Sequence, residues 1–127
     1  MKKIVLIEDD ADLYSLIQYN LDKEGFATVG SQSGKGAIEL CRRERPDLII
    51  LDVMLPDING KEVCHRVRAD PSMEDVRIIC ISGMIEDDKV QELKLAGADD
   101  FLPKPFDVDV LIEKMCAQLD IETGVLA

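Results

Sequence analysis

The chain has 127 residues and a formal net charge of −11, with 46% hydrophobic and 32% charged residues. That length and composition suit one globular domain with one core. A field of that sign argues against binding of nucleic acid by this chain, and no apolar run approaches the roughly 20 residues of a membrane span.

Met1-Lys2-Lys3 leads into Ile4-Val5-Leu6-Ile7, which is too short for a signal peptide and reads as a first buried strand. The expected location is therefore the cytoplasm. The strand ends in Glu8-Asp9-Asp10. From Asp12 the period changes: Leu13, Leu16, Ile17 and Leu21 recur at helical spacing, and Gly25 closes that helix. Phe26 to Val29 is a short second strand. Ser33 can cap a second helix, with Ala37, Ile38 and Cys41 on its apolar face and Arg42 and Arg43 in its last turn, where the helix dipole favours positive charge.

Pro46 ends that helix, and Leu48 to Leu51 then run apolar without interruption. Such a run predicts a strand buried on both faces, as in a parallel sheet. It stops at Asp52, at the strand end where open α/β sheets place their ligands. Val63, Cys64 and Val67 mark a third helix over about 61–69, broken by Asp70-Pro71-Ser72. Val76 to Ile81 predicts a fourth strand ending at Ser82-Gly83. Val90 and Leu93 mark a fourth helix, which Gly97 ends. Asp100-Phe101-Leu102 is a short fifth strand before Pro103-Lys104-Pro105, and Asp107 can cap a last helix carrying Val110, Leu111, Met115 and Leu119. The domain is expected over 1–120, with 121–127 as a C-terminal tail.

Strand and helix alternate about five times. Parallel strands need right-handed crossovers, so the sheet is covered on both faces. The expected class is α/β, a doubly wound five-stranded parallel sheet of flavodoxin-like (βα)5 order 2-1-3-4-5. Cys41, Cys64, Cys80 and Cys116 form no Cys-x-x-Cys pair and are expected as buried, reduced thiols.

Parallel strands end on one edge. Glu8, Asp9 and Asp10 follow the first strand, Asp52 the third, Ser82 the fourth and Lys104 the fifth. Two carboxylates about 4 Å apart repel by roughly 4 kcal/mol at an effective dielectric near 20, which a bound cation relieves. Oxygen ligands without His or Cys imply a hard ion, Mg²⁺ first. Mg²⁺ beside a carboxylate suits phosphoryl transfer, with Asp52 attacking in line, Lys104 and the metal neutralising phosphoryl oxygens and Ser82 donating a hydrogen bond.

Over nearly its whole length the chain resembles the receiver domain of bacterial two-component response regulators. The motifs are Ile7-Glu8-Asp9-Asp10, Leu51-Asp52-Val53-Met54-Leu55-Pro56 with Gly60, Ile81-Ser82-Gly83, Gly97-Ala98-Asp99-Asp100-Phe101 and Lys104-Pro105-Phe106. The resemblance implies a phosphorylation-activated signalling switch of a phosphorelay. Asp52 would accept a phosphoryl group from a sensor histidine kinase or phosphotransfer protein. Mg²⁺ would be ligated by Asp9, Asp52 and the Met54 backbone carbonyl, with Glu8 acting through water. Lys104 and Ser82 would contact the phosphoryl group, and the Lys104-Pro105 peptide would be cis. Ser82 and Phe101 would form the switch, read by a downstream protein target or output domain on the face of the fourth helix, fifth strand and fifth helix.

Within the resemblance, Met54 and Met84 occupy positions that influence how water reaches the aspartyl phosphate, and two apolar side chains predict slow self-dephosphorylation. Leu95, Val110 and Cys116 depart from the charged dimer face of one DNA-binding subfamily, whereas Asp100 and Lys114 remain compatible with it. A monomer or weak dimer is expected. His65 is read as a surface histidine, Asp57, Asp70 and Asp75 as loop or cap residues, and Lys61 and Arg66 as solvent-exposed.

The chain is not expected to be a metabolic enzyme. It could stand alone or be the receiver part of a longer regulator. Competing readings are a Mg²⁺-dependent phosphatase of the haloacid dehalogenase type and an unphosphorylated adaptor. The first lacks a second Asp at position 54, and the complete acidic, Ser and Lys set argues against the second.

Overall fold

A computed structural model describes residues 1–83 and 86–121. Five strands, β1 (Lys3–Ile7), β2 (Ala27–Ser31), β3 (Leu48–Asp52), β4 (Arg77–Ser82) and β5 (Asp100–Pro103), alternate with five helices. The helices are α1 (Ala11–Lys23), α2 (Gly34–Glu44), α3 (Gly60–Ala69), α4 (Asp87–Ala96) and α5 (Val108–Leu119). A 3₁₀ turn, Pro71–Met73, lies between α3 and β4. All pairings are parallel and the order is β2-β1-β3-β4-β5, as the alternation predicts. The second strand lies slightly later than expected, because the Phe26 N–H donates to Leu21 O at the end of α1 before pairing begins.

The central strand explains itself. Every residue from Leu48 to Asp52 is buried. Alternate side chains go to opposite faces of the sheet. Ile4, Leu6, Leu48, Ile50, Ile79 and Ile81 pack with Ile17 and Leu21 of α1 and Leu111, Ile112 and Met115 of α5. Val5, Ile7, Ile49, Leu51, Ile78 and Cys80 pack on the other side with Ala37, Ile38 and Cys41 of α2, Val63 and Val67 of α3, and Leu93 of α4. Burying each such Ile or Leu contributes about 1.5–3 kcal/mol.

Helix ends follow local chemistry. Asp10 Oδ1 accepts from the Asp12 and Leu13 N–H groups at 3.0 and 3.1 Å, Ser33 Oγ from Gly36 at 3.3 Å and Asn59 Oδ1 from Lys61 at 2.8 Å. Gly97 closes α4 at φ +115°, a conformation that a side chain would strain. Asp107 occupies the N-cap of α5 but its side chain makes no capping bond. The Lys104-Pro105 peptide is cis.

All four cysteines are free and buried. Leu16 is 50% exposed, so the apolar stripe of α1 is narrower than the helical period suggests, and Leu95 is 86% exposed on α4. Cys116 faces the core, so it is not a surface departure from the dimer face. Asp100 and Lys114 do meet there, 3.2 Å apart. His65, Lys61 and Arg66 are exposed. Residues 122–127, most of the expected tail, and Met84 lie outside the described residues. Among the described residues, no helix is long and apolar enough to cross a membrane.

Candidate phosphoryl and metal site

Register brings the acidic residues together. Ile7 pairs with Leu51, so Glu8 and Asp52 leave neighbouring strands side by side. Asp52 pairs with Ile81 of β4, and Ser82 with Pro103 of β5. Lys104 therefore begins its reach from the far side of β4. The Lys104 N–H donates to Ser82 O at 2.8 Å, which fixes where that side chain starts.

The ammonium lies between two carboxylates. Lys104 Nζ is 3.0 Å from Asp52 Oδ2 and 2.8 Å from Glu8 Oε1. The second contact is an ion pair outside hydrogen-bond alignment, since Glu8 Oε1 has no aligned donor. Glu8 Oε2 accepts from the Asp10 N–H at 3.0 Å, and Asp52 Oδ1 from the Met54 N–H at 2.9 Å. Both Asp52 oxygens are thus held, so the plane of the carboxylate is set before any ligand arrives.

Burial separates the acids. Glu8 is wholly buried and Asp52 nearly so, whereas Asp9 is exposed. Burial pushes the Glu8 carboxyl above the usual range, Lys104 and the Asp10 N–H oppose that shift, and Asp52 adds to it. Burial also acts against the Asp52 carboxylate, but the Met54 N–H, Glu8 and Lys104 outweigh it and hold that group below its ordinary value. Burial likewise acts against charged Lys104, and the two carboxylates more than compensate, raising it.

Glu8, Asp9 and Asp52 each offer a carboxylate oxygen, and these atoms lie within 4.8 Å of one another. The donor set is all oxygen, with no sulfur or imidazole. Three acids sharing one ammonium leave an excess of negative charge at close range. That chemistry fits a hard divalent cation such as Mg²⁺. Asp10, which follows them in sequence, is spent on capping α1.

Ser82 is fully buried at the end of β4, and Phe101 is half-buried against the α2–α4 side of the core. Met54 is 56% exposed beside Asp52. The four strand ends therefore bring Glu8, Asp9, Asp52, Ser82 and Lys104 to one edge, as expected from the alternation.

The family model for the response regulator receiver domain matches residues 4–116. The chain belongs to that family. A curated relative, the alkaline phosphatase synthesis transcriptional regulatory protein PhoP of Bacillus subtilis, is 40% identical over 105 residues. That match covers 83% of this chain but 43% of the relative, so the chain spans less than half the length of that regulator. The BeF3-activated N-terminal receiver domain of RstA from Klebsiella pneumoniae is 31% identical, with a TM-score of 0.85 over 92% of this chain and 97% of that one. The receiver domain of the sensor histidine kinase PA1611 from Pseudomonas aeruginosa, with a magnesium ion in its active-site cleft, is 25% identical. Its TM-score is 0.86 over 94% of this chain and 98% of that one. Receiver domains are phosphorylation switches of two-component signalling and not enzymes of general turnover, which sets aside the phosphatase reading.

Asp57, expected as a loop or cap residue, is a cap, but of a helix far from it in sequence: its carboxylate accepts from the Gly34 and Lys35 N–H groups of α2. Arg68, unremarked in the sequence, bonds to Gly97 O, Val76 O, Glu74 O and Asp99 at the opposite end of the sheet. Neither has a local pattern that would betray it.

Proposed function

We propose that Asp52 is the phosphoacceptor of a signalling receiver over residues 1–120, charged by a histidine kinase or phosphotransfer protein. The observation that carries this reading is the Asp52 carboxylate itself. It is buried, held by the Met54 N–H and the Lys104 ammonium, and adjoins Glu8 and Asp9.

In the transfer, an Asp52 oxygen forms a bond to phosphorus as the N–P bond of the donor phosphohistidine breaks. The bonding electrons return to the imidazole nitrogen. Lys104, already beside Asp52, faces the negative charge of the incoming phosphoryl oxygens. Asp9, Asp52 and the Met54 carbonyl would hold Mg²⁺, with Glu8 acting through water. The ion supplies charge neutralisation to the phosphoryl group. Ser82 then hydrogen-bonds a phosphoryl oxygen, and Phe101 turns inward, changing the face of α4, β5 and α5 that a downstream target or output domain reads. The setting is cytoplasmic, and the chain is a monomer or weak dimer.

Intact mass after incubation with acetyl phosphate tests the assignment, with and without Mg²⁺, on wild type and Asp52→Asn. One Mg²⁺-dependent phosphoryl adduct is expected in the wild type only. An adduct of equal yield in Asp52→Asn would place the acceptor elsewhere. If acetyl phosphate leaves no adduct, a phosphohistidine donor is the next reagent, and failure there too would favour an unphosphorylated adaptor.

A further inference from the structure

The loop after Asp52 is held at two places. Its base is closed by main-chain bonds: the Val53 N–H donates to Ile81 O at 3.1 Å, the Gly60 N–H to Val53 O at 3.2 Å, and Met54 bridges Asn59. Its tip is held from outside the site. Asp57 Oδ1 accepts from the Gly34 N–H at 2.9 Å, and Oδ2 from the Lys35 N–H at 3.0 Å. These are first-turn donors of α2, which have no partner within the helix, and the positive end of the helix dipole favours a carboxylate there.

The joint is also shaped for close contact. A Cβ on Gly34 would come within 1.7 Å of Ile58 Cγ2 and 3.2 Å of Leu55 Cδ1. Only a residue without a side chain lets the loop lie so near the helix. Moreover, α2 has its own N-cap in Ser33, which serves the Gly36 N–H. The Asp57 bonds are therefore additional to ordinary capping, and what they add is a fixed position for the loop tip.

We infer that Asp57 is a positioning residue for phosphoryl transfer: by pinning the loop 53–59 to the N-terminus of α2, it presets the Met54 main chain beside Asp52. This rests on the reading of Asp52 as phosphoacceptor with Mg²⁺ at the acidic cluster. A loop freed at its tip must be ordered when the cation binds. That ordering weakens cation affinity without altering the groups that react.

The test is ¹H–¹⁵N NMR titration with MgCl₂ of the wild type, Asp57→Ala, Asp57→Asn and Ser33→Ala, with urea unfolding of each. Asp57→Ala is expected to bind Mg²⁺ about threefold to tenfold more weakly, less than the roughly 10–100-fold loss for partners bonded directly to a metal ligand. Asp57→Asn, whose amide oxygen still accepts one N–H, should fall between Asp57→Ala and wild type. Ser33→Ala should lose stability and keep wild-type Mg²⁺ affinity, and saturating Mg²⁺ should return acetyl phosphate labelling of Asp57→Ala toward wild type. Unchanged affinity in Asp57→Ala, or an equal loss in Ser33→Ala, would make Asp57 a helix cap and nothing more. A wild type without Mg²⁺-dependent shifts at Asp9, Asp52 and Met54 would fail the underlying metal assignment, and this inference with it.

Discussion

Lys104 Nζ stands 3.0 Å from Asp52 Oδ2, reaching past the end of β4 from the edge strand to the central one. The same ammonium is 2.8 Å from Glu8 Oε1, so one cation faces two buried acids. Lys104→Ala removes that cation. It should destabilise the metal-free domain by about 1–3 kcal/mol, less than the roughly 3–5 kcal/mol for a fully buried pair, because the Lys104 side chain is 24% exposed. Mg²⁺ should then stabilise the variant more than the wild type, since it meets the acids without a competing ammonium. Urea unfolding with and without MgCl₂ measures both effects. Equal Mg²⁺ increments in the two proteins would contradict this account.

Met54 lies half-exposed beside Asp52 and carries no acid or amide to orient water. Met84, at the partner position, lies outside the described residues. Replacing both, as Met54→Asn with Met84→Gln, should shorten the phosphoryl lifetime roughly threefold to tenfold, short of the ~10²-fold at which general acid–base catalysis begins. The decay of the phosphorylated mass after removal of acetyl phosphate reads this directly. A lifetime no shorter than that of the wild type would show that water is controlled elsewhere.

At the other end of the sheet, Arg68 ties α3 to the turn after α4 and to the start of β4. Its Nε and Nη2 donate to Gly97 O at 3.0 and 2.9 Å, Nη1 to Val76 O at 2.6 Å, and Nη2 to Asp99 Oδ2 at 2.8 Å. Asp99 Oδ2 also accepts from the Ile78 N–H at 2.8 Å. Arg68→Ala strands several part-buried acceptors and should cost about 2–4 kcal/mol. Arg68→Lys should recover little, because one ammonium cannot span the same acceptors as the planar fork. Acetyl phosphate labelling should be unchanged in folded protein. Wild-type stability of Arg68→Ala in urea would remove Arg68 from this role.

Acid should undo a different anchor. Hydrogen bonds from the Ser72 hydroxyl and N–H, and then Arg42, hold the Asp70 carboxyl below its ordinary value. A carboxyl lowered in the folded state stabilises the fold above its unfolded value, and that contribution is lost as the pH falls through its folded value. Asp70→Ala should therefore lower the urea midpoint at neutral pH. The gap to wild type should narrow as the pH drops below the ordinary aspartate range. A gap that stays constant or widens in acid would contradict the sign.

Much of the fold is legible in the chain because its signals are local. The unbroken run Leu48 to Leu51 can only be satisfied by burial on both faces, and Ser33 and Gly97 mark helix ends through their own backbone chemistry. Alternation of strand and helix then dictates parallel strands, and parallel strands deliver Glu8, Asp9, Asp52, Ser82 and Lys104 to one edge. The family motifs make the same assignment independently.

The tertiary structure decided what depends on register and on distant partners. It settled that Lys104 reaches both Glu8 and Asp52, that the Asp10 side chain caps α1 while its N–H serves Glu8, and that Cys116 points inward while Leu16 and Leu95 point out. It also joined Asp57 to α2 and Arg68 to Gly97 and Asp99, across gaps in sequence that no periodicity spans. The physical reason is range. Burial patterns and caps act within a few residues, so the sequence by itself determines elements and their ends. A side chain's partner is chosen by which elements pack together, and that choice exists only once the sheet and its two helical layers have formed.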